Sequence, residues 1–459
     1  MSKVLLIDFG STRTKLTAVD LETQSLIGIA QYKTTVDTDI TEGFHRALYS
    51  LTNQFGNINF DYKYACSSAA GGLKMAAIGL VEELTVEAAK RACFGAGGKV
   101  DVVLSQYITL KDVNEIIEKK IDIVLLSGGT DGGNSASVIH NCEMLGHGGI
   151  TIPIIYAGNR SCQDEIQTIF NKYNLNGYIC DNIMPKLNAL NIEPAKAVIK
   201  DIFMKNIVEA KGINKISPEL NADIIPTPQA VLHAAELLSK GYLSNPGLGD
   251  IIIVDIGGAT TDIYSVCEGS PKKTNCVLKG LEEPFVKRTV EGDLGMRYSA
   301  TGIARTLSKE QINYYKEQEI DILEEAKYRN EFVDMIPTNQ QQENVDRIFA
   351  GICTDVSFSR HVGKMDSVYT PLGMMYYQYG KDLTEVKAVI GTGGVIIYNK
   401  KPTEILNNLS TNPKKPLELR PKNPDYMVDD NYLLSAMGLL SIYEPALALK
   451  IMKDNIKLI

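Results

Sequence analysis

Residues 8–19 (DFGSTRTKLTAV) and 255–266 (DIGGATTDIYSV) carry one pattern of residue types 247 positions apart: Asp, apolar, Gly, small, small, polar, Thr. Each copy follows a four-residue apolar run, residues 4–7 and 251–254, so each reads as a strand that ends on a carboxylate, turns tightly and returns as a second strand. Such a tip can touch phosphate. Glycine lets backbone N–H groups approach the oxygens, Ser and Thr add hydroxyl donors, and a strand-end carboxylate holds magnesium through the water that this ion retains. One hairpin of this kind carries little, since Asp and Gly are common turn residues. Two facing each other make a clamp. A third glycine-rich element, Gly391, Thr392, Gly393 and Gly394, ends the apolar run 386–390. It reads as an ordinary turn or as a place where a flat ring meets the backbone, and its position after the two hairpins favours the ring.

Short β-rich runs at 4–7, 102–104, 123–126, 251–254 and 386–390 alternate with segments of helical period at 81–94, 112–120 and 228–240, which predicts an α/β protein. With 459 residues and roughly 150 per domain, a large core and an interdomain cleft are available. Residues 308–347 are charged, Glu- and Gln-rich and without a strand pattern. They predict a helical insertion lying away from the phosphates, either a solvated helix pair or a partner-docking face. The stretch 400–425, with five prolines, reads as a surface connection.

Lys and Arg number 47 against 55 Asp and Glu, a formal charge of −8 on a 44% apolar chain. That balance gives no footprint for a polyanion, so nucleic acid is not the expected partner. The eight cysteines form no CxxC pair, the five histidines no HExxH or Cys/His ligand spacing, and no apolar run approaches the length of a membrane span. Reduced thiols and a cytoplasmic, non-membrane protein are expected.

The order of these motifs resembles the actin, Hsp70 and sugar kinase superfamily of ATPases: DFGSTRTK as first phosphate motif, DIGGATTD as second, VIGTGGV as adenosine motif. The resemblance implies a duplicated actin-like (ribonuclease H-like) fold, with domains at about 1–225 and 226–459 around a nucleotide cleft and the helical insertion in the second. It also implies ATP and Mg²⁺ as ligands. Asp8 and Asp255 become the magnesium-water carboxylates; Gly10, Ser11, Thr12, Lys15, Gly257, Gly258, Thr260 and Thr261 line the phosphates; and Gly391, Gly393 and Gly394 approach the adenosine. Asp262 either adds charge near the metal or is a polar turn-exit residue. The run 226–232 (PTPQAVL) opens a helix with prolines in its first turn. It is similar to the actin string on the helix that positions the attacking water, which makes Gln229 the candidate for that role, a surface helix glutamine being the other reading.

Taken with residues 67–75 (SSAAGGLKM), 127–134 (SGGTDGGN) and 288–295 (RTVEGDLG), the whole-chain pattern looks like the GlmL/MutL family associated with coenzyme B12-dependent glutamate mutase. That resemblance implies an accessory ATPase that protects or reactivates an adenosylcobalamin-dependent mutase. The glycine-rich 127–134 run is a nucleotide or partner contact or a tight hinge turn; 288–295 is such a contact or a helix start with solvated charges. A small-molecule kinase of the same superfamily and an actin-like filament ATPase are the rival readings.

Overall fold

The computed structural model describes residues 2–35, 39–68, 73–210, 215–371 and 373–459, the side chains of 206–210 excepted. Lys3–Phe9 runs antiparallel to Arg13–Asp20, which runs antiparallel to Ser25–Lys33. On its other side Lys3–Phe9 is parallel to Tyr62–Ser67, and that strand to Ile225–Pro226. The second mixed sheet repeats this order. Ile251–Ile256 pairs antiparallel with Thr261–Val266 and parallel with Ala388–Thr392. Val286–Glu291 and Asp425–Val428 flank them, and Lys457–Leu458 adds an edge. Both sheets thus read third, second, first, fourth, fifth strand in order of appearance, the doubled ribonuclease H-like arrangement of an actin-like ATPase. The inner strands are near-continuous Val, Leu and Ile because helices cover both faces.

One hydrophobic core joins the two sheets. Val4, Leu6 and Ile225 of the first meet Ile251, Ile253 and Ile390 of the second around the helices Thr227–Lys240 and Leu433–Ser441. These helices cross at small residues: a Cβ on Gly438 would lie 1.8 Å from the carbonyl oxygen of Ala230, so only glycine permits the approach.

Residues 1–225 hold more than the single mixed sheet expected. Between Tyr62–Ser67 and Ile225–Pro226 the chain builds a separate five-stranded parallel sheet, spatially ordered Lys99–Ser105, Lys74–Gly79, Ile123–Leu126, Ile154–Tyr156, Gly177–Ile179. One face has a core of its own, with Ala76, Val124, Leu126 and Ile154 packed on Val138, Cys142 and Ile166; the other face, through Met75, Ala77, Ile123, Leu125 and Ile155, shares a core with Leu5, Ile7 and Phe44 of the first lobe. Short apolar runs look alike in sequence whichever sheet they join, which is why this unit was not separable there.

The 308–347 region is helical, as Lys309–Glu317, Ile322–Glu331 and the start of Gln340–His361. Ser308 and Gln311 close a capping box, and Asp321 accepts from the N–H groups of Leu323 and Glu324. The expectation that it lies away from the hairpins is corrected: Val333, Met335, Ile336 and Pro337, between its second and third helices, line the cavity described next. The charged helices suggested a wet exterior. The connection between them brings four apolar residues and Asp334 to the open side of the cavity.

Candidate functional site

The two hairpin tips face each other across a cavity of about 690 Å³. Each tip is closed by the same bond, the N–H of Gly10 donating to the Arg13 carbonyl (3.1 Å) and that of Gly257 to the Thr260 carbonyl (2.9 Å). A Cβ on Gly258 would stand 3.8 Å from the Thr12 methyl, so the tips nearly touch. Gly10, Ser11, Thr12, Lys15, Gly257, Gly258 and Thr260 line the cavity with Asp8 and Asp255.

The carboxylates differ in their surroundings. Asp8 is buried and fully engaged: Thr227 Oγ1 donates to its Oδ1 (2.8 Å), Ser435 Oγ to its Oδ2 (2.9 Å), and Lys15 Nζ stands 3.8 Å away. The Cys66 thiol adds a weak donation to Oδ1 at 3.5 Å. Lys15 itself lies over the Tyr432 ring, 4.2 Å from its centroid. Asp255 makes no hydrogen bond or ion pair among the described residues. Burial pushes its carboxyl up to about 7, the facing Asp262 adds to the rise, and Lys15 opposes it. Cross-strand register explains the contrast. Asp8 is opposite Lys15, and Asp255 occupies the equivalent position opposite Asp262.

Asp262 is held by Arg288, whose Nε and Nη2 approach its Oδ1 at 2.9 and 2.7 Å, and by Thr260 Oγ1 at 3.1 Å. The rest of 288–295 supports the second turn from below. Leu294 accepts from the Thr261 hydroxyl (2.7 Å), and Gly295 packs so closely that a Cβ there would be 2.3 Å from the Ala259 carbonyl carbon. Residues 296–299 take the turn's carbonyls: the N–H groups of Met296, Arg297 and Tyr298 donate to Gly257 and Gly258, and Ser299 Oγ donates to Ala259.

Of the third element, Gly393 and Gly394 line the cavity. Gly393 sits at φ 96° with room for no Cβ, which would fall 2.3 Å from the Ile256 carbonyl oxygen, and a Cβ on Gly394 would reach Tyr432 Oη at 3.1 Å. Three expected residues stand elsewhere. Gly391 lies in the buried sheet and faces Ile396 and Leu406; the Thr261 hydroxyl is turned inward onto Leu294; and Gln229 is absent from the lining, where Thr227, Pro228 and Val231 of its helix stand instead. The 127–134 loop belongs to the parallel sheet, where Asn159 and Asn182 bind its backbone, and it does not line the cavity. Of 67–75, residues 69–72 lie outside the described residues; Ser67 and Ser68 line the cavity.

A sequence model of the MutL protein family matches residues 4–456. The chain belongs to that family. Protein MutL of Clostridium tetanomorphum is 49% identical to it over 456 residues, 99% of each chain. Among solved structures, a diol dehydratase-reactivating factor in nucleotide-free form overlaps 96% of this chain and 100% of its own at TM-score 0.36 and 9% identity. The activator of a 2-hydroxyisocaproyl-CoA dehydratase from Clostridium difficile with bound ADPNP overlaps 98% and 97% at TM-score 0.33 and 8% identity. These overlaps are loose, and the fold assignment stands on the strand order given above.

For a MutL family member the cavity holds several residues to which the sequence motifs assign no role. Thr227 and Ser435 orient Asp8 from 219 and 427 positions away. Asp429, buried nearby, accepts from the N–H groups of Leu433 (2.8 Å) and Leu434 (3.1 Å), and burial raises its carboxyl. Gly97 and Lys99, from the FGAGGK turn at 94–99, reach the cavity floor. That turn's glycines were the one available sequence signal. At the mouth, Lys33 pairs with Asp334 at 2.8 Å and Gln31 Nε2 donates to Tyr398 Oη at 3.4 Å, joining the edge of the first sheet to the second half of the chain. No helix among the described residues is long and apolar enough to cross a membrane.

Proposed function

We propose that this protein is an ATP-binding accessory protein that reactivates an adenosylcobalamin-dependent mutase of the glutamate mutase type, with ATP hydrolysis driving rearrangement of lobes at about 1–225 and 226–459. The observation that carries the nucleotide site is the unpartnered Asp255 carboxylate facing the cavity opposite a fully engaged Asp8. A half-buried carboxylate without a partner, beside a second carboxylate and two glycine turns, suits a hydrated divalent cation on a polyphosphate; two carboxylates are too few for a protein-only magnesium cage. Asp8 and Asp255 would hold Mg²⁺ through its waters. Gly10, Ser11, Thr12, Lys15, Gly257, Gly258 and Thr260 would take the phosphates, and Gly393 and Gly394 the adenosine. When bound there, the metal would supply charge neutralisation at the terminal phosphate. The chain's residues orient: Thr227 and Ser435 fix both Asp8 oxygens, and the 296–299 segment fixes the second turn.

The mutase follows from the family to which the chain belongs and its resemblance to glutamate mutase-associated proteins. Opening and closing of the cleft between the lobes would be the movement passed to the partner. The test inactivates a cobalamin-dependent mutase by turnover, adds this protein, Mg-ATP and fresh adenosylcobalamin, and follows recovered activity. Recovery with the wild type and none with Asp255→Ala is expected. Equal recovery with both, or none together with phosphorylation of a small metabolite, would sink the proposal.

A further inference from the structure

We infer that Arg288 is a positioning residue that ties the second hairpin to the inserted parallel-sheet unit, making the 94–99 turn of that unit a coupling element for the nucleotide cleft. The inference rests on the nucleotide site proposed above.

Arg288 is buried and belongs to the second sheet, yet it is shared across the cleft. While Nε and Nη2 hold Asp262, Nη1 donates to the carbonyls of Phe94 (3.2 Å) and Gly98 (3.1 Å) in the inserted unit. The planar guanidinium is what makes this fork possible, because a lysine ammonium cannot serve the carboxylate and both carbonyls in that geometry. The same turn reaches the other carboxylate's support. Gly97, at φ 87°, packs so tightly that a Cβ would lie 2.6 Å from Pro226 Cβ, and the next residue, Thr227, orients Asp8. Lys99 lies against Gly292, where a Cβ would fall 1.7 Å from its Cε, and it pairs with Asp101 at 3.1 Å. On the adjoining helix, Arg91 pairs with Glu283 at 3.3 Å.

The turn therefore touches what holds Asp262 and what holds Asp8, and Gly97 and Lys99 line the cavity themselves. A change in the separation of the hairpins cannot leave it in place. Coupling needs one element whose arrangement both sites bias, and the turn has the contacts this requires: the cavity on one side, the inserted unit on the other. The effect is reciprocal, so a partner that displaces the inserted unit alters nucleotide affinity by the factor with which nucleotide biases that displacement.

Hydrogen exchange of the full chain, read by mass spectrometry with and without saturating Mg-ADPNP, tests this. In the wild type, nucleotide is expected to slow exchange in peptides covering 94–105 by roughly 5-fold or more. In Arg288→Lys, saturated at its own affinity, that nucleotide-dependent difference is expected to disappear while hairpin peptides 8–20 and 255–266 still respond. Asp262→Asn, milder for folding, is expected to reduce the difference to less than half. A merely structural arginine would change exchange equally in both states and leave the difference intact; that result, or a wild-type 94–105 region indifferent to bound nucleotide, overturns the inference. Wild-type hairpin peptides that ignore Mg-ADPNP would instead bring down the nucleotide site itself, and the inference with it.

Discussion

The hairpins at Asp8 and Asp255 share strand register, a glycine turn closed by the same backbone bond, and a place at the head of an equivalent sheet, yet their carboxylates live in opposite conditions. Asp8 receives two hydroxyl donors and faces a lysine; Asp255 has no partner among the described residues and faces Asp262. Duplication of a backbone thus leaves the charges free to divide. One carboxylate is held by the fold, and the other is left for a ligand under the function proposed above.

The largest effect that tests this division is on catalysis. Asp255→Ala is expected to lower Mg-ATP hydrolysis about 100-fold or more, with phosphate release as the measure. In the unliganded fold the two alanine variants should part company. Asp8→Ala strands the Thr227 and Ser435 hydroxyls and is expected to destabilise by about 1–3 kcal/mol, whereas Asp255→Ala removes an unpartnered charge and is expected to stabilise at pH 8. Denaturant unfolding of both decides it, and equal losses would break the comparison.

The next effect is on pH. Asp255 titrates near 7 in the folded protein, above an ordinary carboxyl, so the unliganded fold loses stability from this group as pH rises from about 4 through 7. Magnesium nucleotide needs the ionised form, so its affinity moves the other way and is expected to fall about tenfold from pH 8 to pH 6. Asp262→Asn removes the facing charge and should move the midpoint down; an unmoved midpoint would mean that the pairing across the strand does not set it.

Smaller still is the adenosine end. Gly394→Val meets the Tyr432 hydroxyl and is expected to weaken nucleotide binding about tenfold with the fold retained, measured by calorimetric titration. The smallest effect belongs to Gln229→Ala, expected to change hydrolysis less than about twofold, since Gln229 is outside the cavity lining. A large loss there would return the glutamine to the site.

What could be read from sequence was what is local. A glycine turn with its carboxylate and hydroxyls occupies a dozen residues, so both hairpins and the 393–394 pair are legible, and the superfamily resemblance they carry implies the duplicated fold. What could not be read was whatever depends on distant segments meeting. Thr227 and Ser435 are ordinary helix residues until the fold sets them on Asp8. The glycines of 94–99 gave no hint that their carbonyls accept from Arg288, and Arg288 itself looked as much a solvated charge as a contact. Gln229 matches a string rather than a face: two residues further along the helix than Thr227, it points about 200° away from it, and Thr227 lines the cavity instead. The cavity-lining connection at 333–337 was masked by the charge of the helices on either side.

The backbone crossing of Gly438 over Ala230 fixes how the molecule takes up heat. Because both mixed sheets share the core around that crossing, melting of either lobe would bare one face of the other's sheet, so the pair is expected to unfold in a single calorimetric transition. A cleft movement that leaves that core packed is expected. Closure on nucleotide should then carry only a small heat-capacity change, and a large negative one on adding a protein partner would report new apolar burial at the partner's surface.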